Sequence, residues 1–182
     1  MKGIDMKIQS KDAGLRAQKI RLIIFDVDGV MTDGRIIIDD KKRESKSFDV
    51  RDGHGIKMLV RAGVQAAIIT GRSSKVVEYR GKELGIQYIR QGAFNKAEVM
   101  GLLLKETGVW PEEAAFMGDD LVDIPAMNLA GLAAAPSDAV SEVIERAHVI
   151  TDLEGGRGAV REFCEFILTA KGVWEEIVKR YK

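Results

Sequence analysis

Cysteine is nearly missing. Cys164 is the single one in 182 residues, so no disulfide can form within the chain and a cysteine-based zinc cluster lacks ligands. Its neighbours Phe163, Phe166 and Ile167 place that thiol inside a packed helix. No run of about 18 apolar residues occurs, so no membrane-spanning helix is expected. The first 20 residues lack the apolar stretch of a secretory signal, and a cytoplasmic location is expected. Excess charge is lacking too. Lys plus Arg is 28 and Asp plus Glu is 28, which gives no support to a nucleic-acid or membrane-surface partner. There is no internal repeat, low-complexity tract or proline-rich linker. What remains is an ordinary globular composition, 46% hydrophobic and 31% charged, and residues 1–182 are read as one domain.

Apolar runs alternate with amphipathic ones. Residues 1–20 read as a polar arm, with a short helix from Lys11 to Lys19. Leu22 to Phe25 is wholly apolar, as a buried parallel strand should be. Gly34 to Val50 reads as a β-hairpin around the polar turn Asp39 to Glu44. Further strands are expected at 64–69, 87–89, 113–117, 132–134 and 148–150. Helices are expected at 53–61, 73–84, from the N-cap Asn95 to 106, at 124–130, 138–146, 159–171 and 173–180. The alternation predicts an α/β fold, a Rossmann-like three-layer sandwich on a mainly parallel sheet. In such sheets ligands sit at the carboxyl ends of the strands.

Three of those ends carry chemistry-bearing side chains: Asp26 and Asp28, Thr70, and Asp119 and Asp120 with Asp123 close behind. Two acids directly after a buried strand have no packing purpose. Converging carboxylates about 4 Å apart repel by roughly 4 kcal/mol at an effective dielectric near 20, so a cation is expected. Oxygen ligands without nearby His or Cys favour magnesium over zinc. Thr70-Gly71 at a strand end and the point charge of Lys96 suit a phosphoryl group. Asp39 and Asp40 read as turn residues.

The ordered set Asp26-Val-Asp28-Gly29, Thr70, Lys96 and Gly118-Asp119-Asp120-Leu-Val-Asp123 resembles the four motifs of the haloacid dehalogenase superfamily. Asp26 to Gly34, Val50-Arg51-Asp52-Gly53, Thr70-Gly71-Arg72 and Gly155 to Glu162 look like the 3-deoxy-D-manno-octulosonate 8-phosphate phosphatases within it, over nearly the whole chain. The resemblance implies a magnesium-dependent phosphatase. Asp26 would be the nucleophile and Asp28 the acid and base. Magnesium would bind Asp26, the carbonyl of Asp28, and Asp119. Thr70 and Lys96 would hold the phosphoryl oxygens, and Asp120 and Asp123 would orient the shell. Asp49 and Lys57 depart from the family, where Asn and Arg are common. Two alternative readings use the same residues. A nonulosonate 9-phosphate phosphatase would tend to carry Glu at Arg72. A receiver-type signalling domain would place its Lys after all its acids, whereas Lys96 precedes Asp119.

From Asp26 to Thr70 is 44 positions, and from Thr70 to Lys96 is 26. Neither interval holds a separate cap domain, since domains rarely fall below about 50 residues. The site walls would then come from a neighbouring subunit, and the resemblance implies a homotetramer packed through its hairpins. The expected substrate is a sugar-acid phosphate. Its carboxylate suits the fork of Arg72. Arg80, two helical turns on, is expected on the same face. Asp49 to Gly53 with Lys57, and Arg157 in the glycine-rich tail, complete the expected substrate-binding set.

Overall fold

Short apolar runs become the strands of one sheet. A computed structural model describes residues 6–182. In chain order its strands are β1 (Lys7–Ile8), β2 (Leu22–Phe25), β3 (Ile37–Ile38), β4 (Glu44–Ser45), β5 (Gln65–Ile69), β6 (Tyr88–Arg90), β7 (Ala114–Met117), β8 (Leu132–Ala135) and β9 (Val149–Ile150). The helices are α1 (Ala13–Lys19), α2 (Val50–Arg61), α3 (Lys75–Leu84), α4 (Lys96–Thr107), α5 (Ile124–Leu129), α6 (Ser141–Ile144), α7 (Ala159–Ala170) and α8 (Trp174–Lys179). Seven strands lie in the order β1-β9-β8-β7-β2-β5-β6. All neighbours run parallel except the β1–β9 pair, and β3 with β4 forms a separate antiparallel hairpin.

The strands read as continuous apolar runs because both faces of the sheet are covered. Side chains alternate along a strand, so Ile23, Phe25, Ile68 and Met117 join a core with α1, α2, α3 and α7. Leu22, Ile24, Ile69 and Phe116 join another with α4, α5 and α6. Each such Leu, Ile or Phe stabilises the fold by roughly 1.5–3 kcal/mol relative to its exposed state. These are the three layers the sequence predicts, with no separate cap between β2 and α4. From β2 the chain runs outward to β5 and β6, then returns across to β7 on the other side of β2. That reversal opens a crevice at the carboxyl ends of β2, β5 and β7.

Several expectations change. The first five residues of the expected polar arm lie outside the described residues, and Lys7–Ile8 of that arm pairs with Val149–Ile150 at the sheet edge. The hairpin is far smaller than Gly34 to Val50. Only Ile37 with Ser45 and Ile38 with Glu44 are paired. Val50 opens α2, three residues before the expected start at Gly53, because Asp49 caps that helix by accepting from the Arg51 amide at 2.6 Å. Helix α3 begins at Lys75, so Arg72 lies in the loop before it and shares no helical face with Arg80. Cys164 is fully buried, as expected.

One long-range hydrogen bond and one close backbone contact fix the loop after β2. Gly155 and Gly156 lie directly beneath it. Gly156 donates its amide to Val30 O at 2.9 Å, and Gly155 donates to Asp138 Oδ1 at 2.9 Å. A Cβ on Gly155 would collide with the Gly29 carbonyl, and Gly156 has a φ of +65°. The glycines of the tail therefore permit close approach to this chain's own loop. Nearby, Asp52 accepts from Gly158 N at 3.3 Å and Arg161 N at 2.8 Å, so a carboxylate on α2 satisfies the open amides of α7. Gly155→Val is expected to destabilise the protein by about 1–3 kcal/mol through overpacking. Gly14→Ala, with open space around it, is expected to be neutral or stabilising by up to about 1 kcal/mol. Urea denaturation midpoints of the two variants provide the comparison.

Candidate active site

The crevice gathers the strand-end residues because the parallel register brings their ends level. Phe25 pairs with Met117 and with Ile68, so the next residues emerge together. Asp26 continues the ladder by donating its amide to Met117 O at 3.0 Å, and the residue is 6% exposed. Thr70, one residue past β5, is 2% exposed. Asp119 follows β7 by two residues. Lys96 is the first residue of α4, whose N-cap Asn95 accepts from Glu98 N at 3.3 Å. Its ammonium lies 2.8 Å from Asp26 Oδ1 and 2.5 Å from Asp123 Oδ1. Asp123 is fully buried and also accepts the amides of Asp119 at 3.1 Å and Asp120 at 3.2 Å. Asp120 is exposed and caps the turn at Leu121–Asp123, accepting from Leu121 N at 2.7 Å.

Glycines admit this crowding. Gly29 has a φ of +95°, and a Cβ there would strike the Asp119 carboxyl. A side chain on Gly118 would strike Asp123.

Three carboxylates thus face one ammonium. Burial, then the neighbouring Asp123, pushes the Asp26 carboxyl up to about 6 against the pull of Lys96. Burial, then Asp26 and Asp123, pushes Asp119 up to about 8. Burial works against the Lys96 ammonium, but Asp26 and Asp123 outweigh it and hold Lys96 above its ordinary value. Oxygens of Asp26, Asp119 and Asp123 all lie within 4.8 Å of one another. Asp119 Oδ1 is buried with no hydrogen-bond donor. A hard divalent cation with oxygen ligands fits this donor set and would supply the missing positive charge.

The pocket over these groups has a volume of about 360 Å³. Asp26, Asp28, Thr70, Lys96, Asp119 and Asp120 line it, and Arg72 stands at its edge. The rest of the expected set lies elsewhere in the chain. Arg51 forks Asp49 through Nη2 at 2.8 Å and also donates to the Arg157 carbonyl at 3.0 Å. Arg157 itself is exposed and pairs with Glu154 at 3.4 Å. Asp52 is occupied in capping α7, and burial raises its carboxyl to about 6. Arg80 lies over the Phe48 ring at 5.7 Å, binds Glu83 at 2.8 Å and abuts buried Gly53. Val50 is 80% exposed, and Lys57 is half-buried on α2. Within one chain, only Arg72 of the expected substrate-binding cations borders the pocket.

Two charged residues of the hairpin region join the site although the sequence assigns them no part in it. Lys46 contacts Asp28, and Glu44 accepts from Arg72 Nη2 at 3.0 Å. Their spacing of two, which puts extended-chain residues on one face, was the available signal.

Fold and site together define a hydrolase of the haloacid dehalogenase type, and a family model described as haloacid dehalogenase-like hydrolase matches residues 49–131. The chain is 45% identical over 167 residues, 92% of its length and 89% of the relative's, to 3-deoxy-D-manno-octulosonate 8-phosphate phosphatase KdsC of Escherichia coli strain B / BL21-DE3. It therefore belongs to the 3-deoxy-D-manno-octulosonate 8-phosphate phosphatase family and is a phosphoric monoester hydrolase. Among solved structures, the phosphatase of that name from Moraxella catarrhalis, in complex with magnesium ion, phosphate ion and KDO, is 38% identical. It superposes with a TM-score of 0.93 over 94% of this chain and 98% of the other. The cobalt-bound enzyme from Haemophilus influenzae is 40% identical, with a TM-score of 0.85 over 87% of this chain and 93% of the other.

The raised carboxyls make a stability prediction with a definite sign. Each binds its proton more tightly in the folded chain than in the unfolded one. The resulting stability is full below the unfolded value near 3.8 and is lost as pH rises through about 6 for Asp26 and about 8 for Asp119. With a chelator present, the urea midpoint should fall between pH 5.5 and pH 8.5, and it should fall less for Asp119→Asn. An equal fall in both proteins would place the effect outside this cluster.

Proposed function

We propose that this chain hydrolyses 3-deoxy-D-manno-octulosonate 8-phosphate to 3-deoxy-D-manno-octulosonate and phosphate, with magnesium and through an aspartyl-phosphate, as a cytoplasmic step in lipopolysaccharide precursor synthesis. The reading takes residues 1–182 as one hydrolase domain. The observation that carries it is the buried Asp26 carboxylate, in contact with Lys96 and close to Asp119 at the pocket of about 360 Å³. The magnesium, phosphate and KDO bound by the Moraxella catarrhalis relative supply the substrate class.

An oxygen of Asp26 attacks phosphorus while the bond to the sugar oxygen breaks. Asp28 gives that oxygen a proton and the sugar leaves as the alcohol. Asp28 then takes a proton from water, which attacks the phosphorus of the aspartyl-phosphate and frees Asp26 and inorganic phosphate. Lys96 and the Thr70 hydroxyl hold the phosphoryl oxygens. Asp26, the carbonyl of Asp28 and Asp119 would hold the cation, with Asp120 and Asp123 orienting them. The cation supplies electrostatic stabilisation to the phosphoryl oxygens when bound.

Arg72 is the candidate anchor for the sugar's carboxylate. Its fork already carries a carboxylate, Glu44, at 3.0 Å, and its side chain is 46% exposed. Glu44 also lies 3.5 Å from the Lys46 ammonium, so it keeps a cationic partner when a substrate carboxylate takes the fork of Arg72.

The shared-site homotetramer is part of the proposal. Ile36, Ile37 and Ile38 are 55%, 52% and 57% exposed. A hairpin this short needs packing to persist. Beside α3 runs a groove of about 990 Å³, lined by Phe48, Val50, Val76 and Tyr79 with Arg80. Association through these faces would bring one subunit's cations to a neighbour's open pocket.

Three measurements test the proposal. Phosphate release from octulosonate 8-phosphate should stop in chelator and return with magnesium. Asp26→Asn should lower kcat by more than about a thousandfold, and retention of more than about a few per cent of activity would remove the covalent route. For assembly, the Ile37→Lys, Ile38→Lys double variant should give smaller species in light scattering, with the fold intact and sugar turnover much reduced. A fully active wild-type monomer would refute the shared site.

A further inference from the structure

The hairpin reaches the active site through a side chain to which the chemistry above gives no role. Lys46 follows β4 by one residue, and its side chain is 1% exposed. Burying an ammonium is costly unless it is paired. Its partners are Asp28 Oδ1, in direct contact, and Glu44 Oε1 at 3.5 Å. Glu44 Oε1 in turn accepts from Arg72 Nη2 at 3.0 Å, and Arg72 Nε lies 3.7 Å from Asp28 Oδ2. Four charges from three segments therefore close a ring: the loop after β2, the hairpin, and the loop after β5.

The ring acts unequally on the two oxygens of Asp28. Oδ1 is held by Lys46, whereas Oδ2 has no donor within hydrogen-bond distance among the described residues. Asp28 also lies three residues beyond the end of β2, past the reach of the sheet's own hydrogen bonds. A carboxylate on such a loop can rotate about its side-chain bonds unless something fixes it. We propose that Lys46 is a positioning residue for Asp28: it clamps Oδ1, so that Oδ2 is presented to the leaving oxygen of the phosphate ester. The hairpin is then part of the proton-transfer apparatus as well as a wall. This inference rests on the phosphatase reading, with Asp28 as proton donor.

The test uses kcat/KM for a series of phosphate monoesters that carry neither sugar nor carboxylate, from 4-nitrophenyl phosphate to simple alkyl phosphates. That ratio reports steps up to departure of the alcohol, so it isolates proton donation from the later activation of water. An acidic phenol leaves without help, whereas an alkoxide needs the proton. In the magnesium-loaded enzyme, Lys46→Met should lower the alkyl esters by at least roughly tenfold and 4-nitrophenyl phosphate by less than about threefold. Lys46→Arg should recover most of the alkyl loss. A uniform loss along the series, or none, overturns the proposal, because a purely structural role would not depend on the leaving group. Circular dichroism checks the fold, and if Lys46→Met does not fold, Lys46→Gln is read by the same criterion. A wild-type enzyme that turns over none of these esters, nor octulosonate 8-phosphate, would overturn the phosphatase reading instead.

Discussion

Asp26, Asp119 and Asp123 crowd around one ammonium, that of Lys96, at the carboxyl edge of the sheet. Like charges about 4 Å apart repel by roughly 4 kcal/mol at an effective dielectric near 20, so the cluster cannot assemble itself. The sheet forces it together. Parallel pairing of β2 with β7 sets the first two acids side by side, and the cap of α4 aims Lys96 between them. Gly29 and Gly118 leave room where any side chain would collide with a carboxylate. Tail residues Gly155 and Gly156 then hold the loop from below. Apolar burial in the two cores drives this assembly, and the unbalanced charge it creates gives the site its affinity for a cation and a phosphoryl group.

What the sequence revealed and what it hid divide along a physical line. Asp26, Thr70 and Asp119 were legible because each ends an apolar run, and strand interiors and strand ends differ sharply in polarity. The acid cluster and the three layers followed from that contrast. Lys96 was legible through its order among the acids. Features that depend on tertiary contacts were not. Lys7–Ile8 is too short and polar to read as a strand, and it becomes one only by meeting β9 across the fold. Val50 looked like the end of a β-segment, but the Asp49 side chain turned it into the start of a helix. The supposed kinship of Arg72 and Arg80 failed because the helix begins after Arg72, and counting turns has no meaning outside a helix. Lys46 carries no motif of its own, and its place beside Asp28 depends on how the hairpin folds.

The expected substrate-binding cations separate in the same way. Arg72 meets the pocket of its own chain, whereas Arg51, Arg80 and Arg157 are engaged with Asp49, Glu83 and Glu154 away from it. The loop bearing Arg72 is placed by the sheet. The other three sit on segments whose position relative to any pocket depends on how subunits meet, a matter on which hydrophobic periodicity is silent.

The cap that Asp52 places on α7 has a bearing on how the chain is made. The carboxylate and the amides it satisfies are more than a hundred residues apart, 106 for Gly158 and 109 for Arg161. On a ribosome, α2 emerges long before α7. Until α7 arrives, Ile56 and Leu59 lack the helix that covers them, and Asp52 lacks its amides. One face of the nascent sheet therefore stays greasy until α7 has been made, a state prone to aggregation and suited to chaperone binding. Docking of α7 closes that face and brings Gly155 and Gly156 against the loop after β2, so active-site geometry is completed only once α7 has emerged.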